Sequence, residues 1–208
     1  IQLSAERLQH KLAKSLSAPE ADMLERATRT IVQQVEAMKF MVNAFTEYAK
    51  PSVTQPERVN MGQLMEEVIA LYPPSSGFEF TLVLNPDLPL VPGDPIKLRQ
   101  VLHNLIKNAQ EAMQADTPGL IHLTATERED NRRHWLEIHI QDNGPGIPKE
   151  YMDRIFEPYV TTKTKGTGLG LAIVKKIIEE HGGNIRVNAS MDQGAGFTIQ
   201  LPVVNPDS

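Results

Sequence analysis

The sequence predicts an α+β protein in two parts: a truncated antiparallel helical hairpin, then an α/β sandwich whose mixed sheet is covered on one face by helices. Three observations carry that prediction. The first 50 of the 208 residues contain no Gly and a single Pro, Pro19, whereas all 13 Gly follow later. Apolar residues recur every three or four positions in the first part, and at period two in several runs of the second. The order of elements after residue 58 is helix, strand, helix, two strands, helix, two strands, which suits helices layered on a mixed sheet.

In the first arm, Ile1, Ala5, Leu8, Leu12 and Leu16 share a helical face. Ser17-Ala18-Pro19 interrupts it, with Ser17 as N-cap and Pro19 in the first turn of the next helix. The stripe resumes as Leu24, Ala27, Ile31, Val35, Met38, Val42, Phe45 and Ala49, and Lys50-Pro51 ends it. Leu24, Ile31, Met38 and Phe45 are seven apart, the seam of a helix that packs on partner helices. The arms are unequal, roughly four turns against eight at about 3.6 residues per turn. The long arm therefore keeps apolar surface that the short arm cannot cover, which predicts a homodimer, a shortened N-terminal arm, or both.

Residues 51–57 read as a linker. Asn60 caps a helix with Leu64, Val68, Ile69 and Leu71 on one face, and 78–84 reads as a strand. Asp94-Pro95 opens a helix to about Ala115. Strands follow near 120–127 and 134–141, then a Gly/Pro-rich stretch from Asp142 to Thr167. A helix from Gly168 to about His181 stops at Gly182-Gly183. Strands near 184–190 and 196–203 close the chain.

Composition excludes several functions. Lys+Arg number 21 against 26 Asp+Glu, a net charge of −5, which argues against bulk nucleic-acid binding. The absence of Cys excludes disulfides, thiol catalysis and Cys-based metal centres. No run of about 18 apolar residues exists to span a membrane, and the N-terminus lacks a signal-peptide apolar core.

The chemistry-bearing residues lie in the second part. Asp142-Asn143-Gly144-Pro145-Gly146 follows an apolar strand. A carboxylate there can accept a hydrogen bond from an exocyclic amine, which adenine offers and guanine does not. Glycines let the backbone approach a flat ring. Alone, Asp-Asn-Gly is more often a simple turn. Lys165-Gly166-Thr167-Gly168-Leu169-Gly170-Leu171 runs into a helix, whose N-terminal N–H groups suit phosphate. It is neither a P-loop nor a dinucleotide fingerprint, and alone it also fits a Gly-rich lid. Asn104 and Asn108, four apart, share a helix face opposite Val101, Leu102, Leu105, Ile106 and Ala109. Their amide oxygens suit magnesium, which takes few protein ligands beside substrate phosphates; two solvated Asn are the plain alternative. Glu111 shares that polar region as a solvated charge. Gly194-Ala195-Gly196 reads as a hairpin turn that can also shape a pocket wall.

Taken in this order, these pieces resemble the catalytic ATP-binding domain of sensor histidine kinases, in the wider family of gyrase, Hsp90 and MutL. The N box is similar to His103-Asn104-Leu105-Ile106-Lys107-Asn108-Ala109, and the G1 box to Asp142 through Gly146. The F box resembles Ile155-Phe156-Glu157-Pro158-Tyr159, the G2 box Gly166 through Leu171, and the G3 turn Gly194-Ala195-Gly196. The likeness spans about 58–204, and the hairpin in front resembles the dimerisation and histidine-phosphotransfer domain. Ile1 through Leu8, and Tyr159-Val160-Thr161-Thr162-Lys163, are similar to nitrogen-regulation kinases of the NtrY type.

The resemblance implies a Bergerat-type ATP-binding fold with a dimerisation domain at 1–50, a linker at 51–57 and a catalytic domain at 58–208. It implies that Asp142, with Gly144 and Gly146, holds adenine. Asn108 and Asn104 coordinate Mg²⁺ and, with Lys163, form the catalytic set. Lys107, Lys165, Gly166, Thr167, Gly168, Leu169 and Gly170 line the nucleotide. The γ-phosphoryl group of ATP would pass to a His and then to an Asp of a response-regulator receiver domain. The intact protein would be anchored in a bacterial inner membrane, with this portion cytoplasmic and touching neither lipid nor nucleic acid.

The chain departs from the family in one respect. No H-[ED]-x-x-[NT]-P acceptor box occurs: His10, His103, His122, His134, His139 and His181 all lie in other contexts. The expectation is a chain that begins after that box, binds Mg-ATP and does not label itself. Asn104 stands where ATP-hydrolysing relatives carry a Glu base, which favours transfer over hydrolysis. Rival readings are a serine kinase of the anti-sigma type and a nucleotide-sensing dimerisation module.

Overall fold

The computed structural model describes residues 4, 7, 11–12, 16–49, 56–73, 77–113, 118–130, 133–163, 166–188 and 194–204. The chain divides into two compact units, Ile1–Lys50 and Pro51–Ser208.

In the first unit, Ser4, Arg7, Lys11 and Leu12 are helical, and α1 spans Ala18–Ala49. The backbone N–H and hydroxyl of Ser17 both donate to Glu20 Oε2, at 3.0 and 2.6 Å. This is the reciprocal half of a Ser-x-x-Glu capping box, and it explains the sharp start of α1. Thr28 is buried, and its hydroxyl donates to the carbonyl of Leu24 at 2.8 Å. Leu24 and Val35 are half-covered, but Ile31, Met38 and Val42 are exposed, as is Met23. Of the predicted stripe, Ile1, Ala5, Leu8 and the side chains of Phe45 and Ala49 lie outside the described residues.

The second unit runs β1 (Glu57–Val59), α2 (Met61–Ile69), β2 (Phe78–Leu84), β3 (Val91–Gly93), α3 (Pro95–Ala112), β4 (Gly119–Asp130), β5 (Arg133–Asp142), α4 (Lys149–Met152), α5 (Gly170–Glu180), β6 (Asn184–Asn188) and β7 (Gly196–Pro202). The main sheet has the order β2-β4-β5-β7-β6. Only β2 and β4 are parallel; the other pairs are antiparallel, so the sheet is mixed. Register places Leu123, Ile140 and Phe197 in one row and Ala125, Ile138, Ile199 and Ile185 in the next. These side chains are buried beneath α2, α3 and α5. Burying each Leu or Ile contributes about 1.5–3 kcal/mol. The opposite face is polar. There Glu137 accepts from Arg128, His139 and Gln200, and the Thr198 hydroxyl lies 2.9 Å from both His139 Nδ1 and Asn188 Oδ1.

Local chemistry sets the boundaries. Asn60 Oδ1 accepts from the N–H of Gln63 to start α2, and Asp94 Oδ1 accepts from those of Ile96 and Lys97 to start α3. The N–H of Gly183 bonds the carbonyl of Ile178, and that of Gly182 bonds Glu179, closing α5. Four details differ from the sequence reading. Strands β1 and β3 pair antiparallel in a sheet of their own, so Glu57 belongs to a strand rather than to the linker. Three-residue strands are too short to display a period. Leu71 lies beyond the end of α2 and is exposed. Helix α3 stops at Ala112 rather than Ala115, and α4 was not anticipated within its loop. Among the described residues, no helix is long and apolar enough to cross a membrane.

Candidate nucleotide site

Asp142 ends β5, where the sheet meets the Gly-rich loop. It is 6% exposed. Its Oδ1 accepts from the N–H of Gly144 at 2.9 Å and from that of Ala195 at 3.0 Å. The backbone reciprocates, with Asp142 N–H donating to the Ala195 carbonyl at 3.0 Å. Burial pushes the carboxyl above the usual aspartate range, and the two N–H donors pull partly back. No described residue donates to the second oxygen, which leaves a buried acceptor for an external donor.

The Gly194-Ala195-Gly196 turn is therefore half of the Asp142 bracket. Gly194 has φ +85, and a Cβ there would overlap the Asp142 carbonyl oxygen. Gly146 abuts the same turn: a Cβ on it would lie 3.0 Å from the Gly194 carbonyl oxygen. The sequence displays the Gly-Ala-Gly pattern, but pairing it with a residue 53 positions earlier requires the sheet.

Helix α3 supplies the amides. Its inward face is Leu98, Val101, Leu102, Leu105, Ile106 and Ala109, all buried. Asn104 and Asn108 are half-buried on the flank, and the Asn104 side chain has no protein partner among the described residues. The C-terminal end of the helix reaches the Asp142 loop, since a Cβ on Gly144 would lie 3.6 Å from Met113 and 3.8 Å from Ala112. A Cβ on Gly170, the first residue of α5, would lie 3.8 Å from Asn108 Nδ2. The start of α5 carries no side-chain cap, which leaves its first N–H groups open to an anion.

The F-box segment braces the glycines. Tyr159 has φ 69, unusual for a non-glycine, and its N–H bonds the Gly168 carbonyl at 3.0 Å. Gly168 has φ +66, and a Cβ on it would lie 2.5 Å from the Tyr159 carbonyl carbon. Phe156 packs edge-on to Phe197 of β7, with ring centroids 6.3 Å apart. Leu169 is buried, so it offers only its backbone to a ligand, and its N–H points to Thr167 Oγ1 at 3.5 Å.

Lys163 reaches from this segment to α3. Its Nζ lies 2.6 Å from Glu111 Oε2 and 3.5 Å from Asn108 Oδ1. Lys107 approaches Glu111 at 3.8 Å. Lys165 lies outside the described residues. Sequence reasoning took Glu111 for a solvated charge and did not link it to Lys163. Among the described residues, no group of three or more His, Cys, Asp or Glu could hold a metal. The neutral amides instead fit an ion that also takes oxygens from phosphates, and an ammonium already stands against Asn108 Oδ1.

Comparison with known proteins gives the family of the chain. The profile of the histidine kinase-, DNA gyrase B- and HSP90-like ATPase family matches residues 93–205, more than half of the chain. The chain belongs to that family. Within it, the chain groups with the catalytic domains of sensor histidine kinases, on the following likenesses. It is 36% identical to nitrogen regulation protein NtrY of Azorhizobium caulinodans, over 99% of this chain and 27% of that protein. It is 33% identical to sensor histidine kinase ZraS of Escherichia coli, over 89% of this chain and 39% of that protein. The chain thus spans well under half the length of these curated relatives. Among solved structures, the catalytic domain of histidine kinase ThkA superposes with a TM-score of 0.63 at 32% identity, covering 72% of this chain and 97% of that one. ThkA in complex with response regulator protein TrrA gives 0.70 at 28% identity, covering 96% and 57%.

Proposed function

We propose that this chain is the ATP-binding core of a two-component sensor histidine kinase. Residues 58–208 bind Mg-ATP, and residues 1–50 form the dimerisation and phosphotransfer hairpin of a homodimer. The γ-phosphoryl group passes to a His outside these residues: the bond from phosphorus to the bridging oxygen of ADP breaks, and a bond to the imidazole nitrogen forms. The phosphoryl group then moves to an Asp of a response-regulator receiver domain. Kinship with ThkA, whose complex with a regulator is known, supports that partner. The whole protein is a bacterial inner-membrane sensor of the nitrogen-regulation type, with this portion in the cytoplasm.

The observation that carries the reading is the buried Asp142 carboxylate, with one oxygen bracketed and the other without a donor among the described residues. That oxygen accepts the adenine amine, while Gly144 and Gly146 keep the loop low enough for the ring. Asn108 and Asn104 hold the magnesium ion, which neutralises phosphate charge when bound. The N–H groups from Gly166 through Gly170 seat the phosphates, with Lys107, Lys163 and Lys165 adding charge. Phosphoryl transfer needs this positioning more than covalent help from the protein. An amide at Asn104 is no base for water, so transfer prevails over hydrolysis.

Two experiments test the proposal. Calorimetry with Mg-ADP should give a saturable site, and Asp142→Asn should weaken it roughly 10- to 100-fold, the worth of a hydrogen bond to a charged group. Unchanged affinity would remove Asp142 from the site. Incubation with γ-labelled ATP should leave this chain unlabelled, while a longer protein bearing the acceptor box becomes labelled. Phosphohistidine on these 208 residues would overturn the placement of the acceptor.

A further inference from the structure

We propose that Lys163 is a resident cation at the metal position: in the metal-free site its ammonium occupies the amide oxygen of Asn108, and Glu111 is the positioning residue that keeps it there. The inference rests on the reading of Asn108 as a magnesium ligand. It adds that the ion must displace an ammonium that the chain itself supplies.

The geometry is a three-way junction. Lys163 Nζ is 2.6 Å from Glu111 Oε2 and 3.5 Å from Asn108 Oδ1, joining positions 52 and 55 residues apart. Asn108 and Glu111 are three apart on α3, so a cation held by one is presented to the other. A plain surface ion pair needs only two groups, and such pairs contribute little. Here the third partner is the neutral oxygen assigned to the metal. The Lys163 and Glu111 side chains are 31% and 44% exposed, open enough for the ammonium to leave.

Two cations on that oxygen repel each other. A magnesium ion sits about 2.0–2.1 Å from its ligands, which would bring it against the ammonium, and the amide has no charge to offset their repulsion. Removing the ammonium takes away a competitor of the ion. That widens the gap between metal-free and metal-loaded nucleotide affinity.

The test measures ADP affinity by calorimetry on the 208-residue chain, once in EDTA and once in saturating Mg²⁺. ADP is chosen because it lacks the γ-phosphate, so a contact of Lys163 with that group in ATP does not enter the ratio. The quantity read is the ratio of the two dissociation constants, for the wild type, Lys163→Met, Glu111→Gln and the double variant. Lys163→Met should raise the ratio about tenfold, within the usual range of coupling between two sites. In the Glu111→Gln background, where nothing keeps the ammonium at Asn108, the same substitution should change it less than about threefold. A ratio unmoved by Lys163→Met, or moved equally in both backgrounds, overturns the proposal. Affinity independent of Mg²⁺ in all four proteins would overturn the metal-ligand reading of Asn108 and this inference with it. Metal dependence in the wild type with an unmoved ratio would sink the resident cation alone.

Discussion

Asp142 accepts two backbone N–H groups on one oxygen, yet burial still holds its carboxyl above the ordinary aspartate range. The sign of the linkage follows. Between the ordinary value and the raised one, the folded state holds a proton that the unfolded chain has released, so stability falls as pH rises through that window. Above it, the buried charge remains a standing penalty. Asp142→Asn removes the charge and keeps an oxygen for Gly144 and Ala195. Its stability by urea denaturation should therefore equal or exceed the wild type at neutral pH, with the advantage vanishing below the ordinary aspartate range. The same substitution sets an amide donor against the adenine amine, so binding weakens while the fold gains. Wild-type ADP affinity should also decline on acidification at a higher pH than an ordinary aspartate would dictate, because protonation places an O–H donor on the oxygen that Gly144 and Ala195 leave free, facing the amine. A less stable Asp142→Asn would show that the carboxylate is a structural anchor instead. Asp142 was legible in sequence because a carboxylate, two glycines and a strand end lie within five residues. The Lys163–Glu111–Asn108 junction was not, because its members meet only after α3 and the segment after Tyr159 are in place.

Helix α3 carries Asn104 and Asn108, α5 starts at Gly170 beside Asn108, and the two helices are pinned to each other at the far end. His181 Nδ1 lies 2.7 Å from the Ile177 carbonyl, and His181 Nε2 lies 2.9 Å from the backbone N of Asp94. A carbonyl only accepts and an N–H only donates, so the ring must carry its proton on Nδ1 and accept on Nε2. The ring also fills the space beside Gly93, where a Cβ would meet it at 2.6 Å. Lys97 and Glu180 join the same two helix ends at 3.0 Å. His181→Ala would leave the Asp94 N–H without its partner in a part-buried position. The expected loss is about 1–3 kcal/mol in urea denaturation. His181→Gln, which retains a donor and an acceptor, should recover a good part of it. Equal stability of the Ala variant and the wild type would dismiss the pin. At this scale the sequence was most informative where caps and stops are local: Asp94-Pro95 for α3, and Gly182-Gly183 for α5. It was silent on β1 and β3, whose pairing is a tertiary event between two three-residue stretches.

The division into two units was foreshadowed by the distribution of Gly and Pro, because a helical hairpin needs neither inside its arms whereas turns around a sheet need both. What composition could not reveal is which side of the long helix remains open. In α1, Thr28 is buried while Ile31, Met38 and Val42 are 46%, 62% and 63% exposed. Three large apolar side chains at spacings of seven and four form a continuous stripe on one helix. A helix with such a stripe gains by packing it on a second copy. The 208-residue chain should therefore show a concentration-dependent dimer in sedimentation. Met38→Glu together with Val42→Glu would place charges in that stripe and should shift the chain to monomer. Mg-ADP affinity should stay within about twofold of the wild type, because Asp142, Asn104, Asn108 and Gly170 all belong to the other unit. Substitutions that left the dimer intact would place the contact on another face, and a wild type that stayed monomeric at high concentration would remove α1 as a dimer helix. Loss of ADP binding with the dimer would mean that the nucleotide site needs the partner copy, in conflict with a site built within residues 51–208.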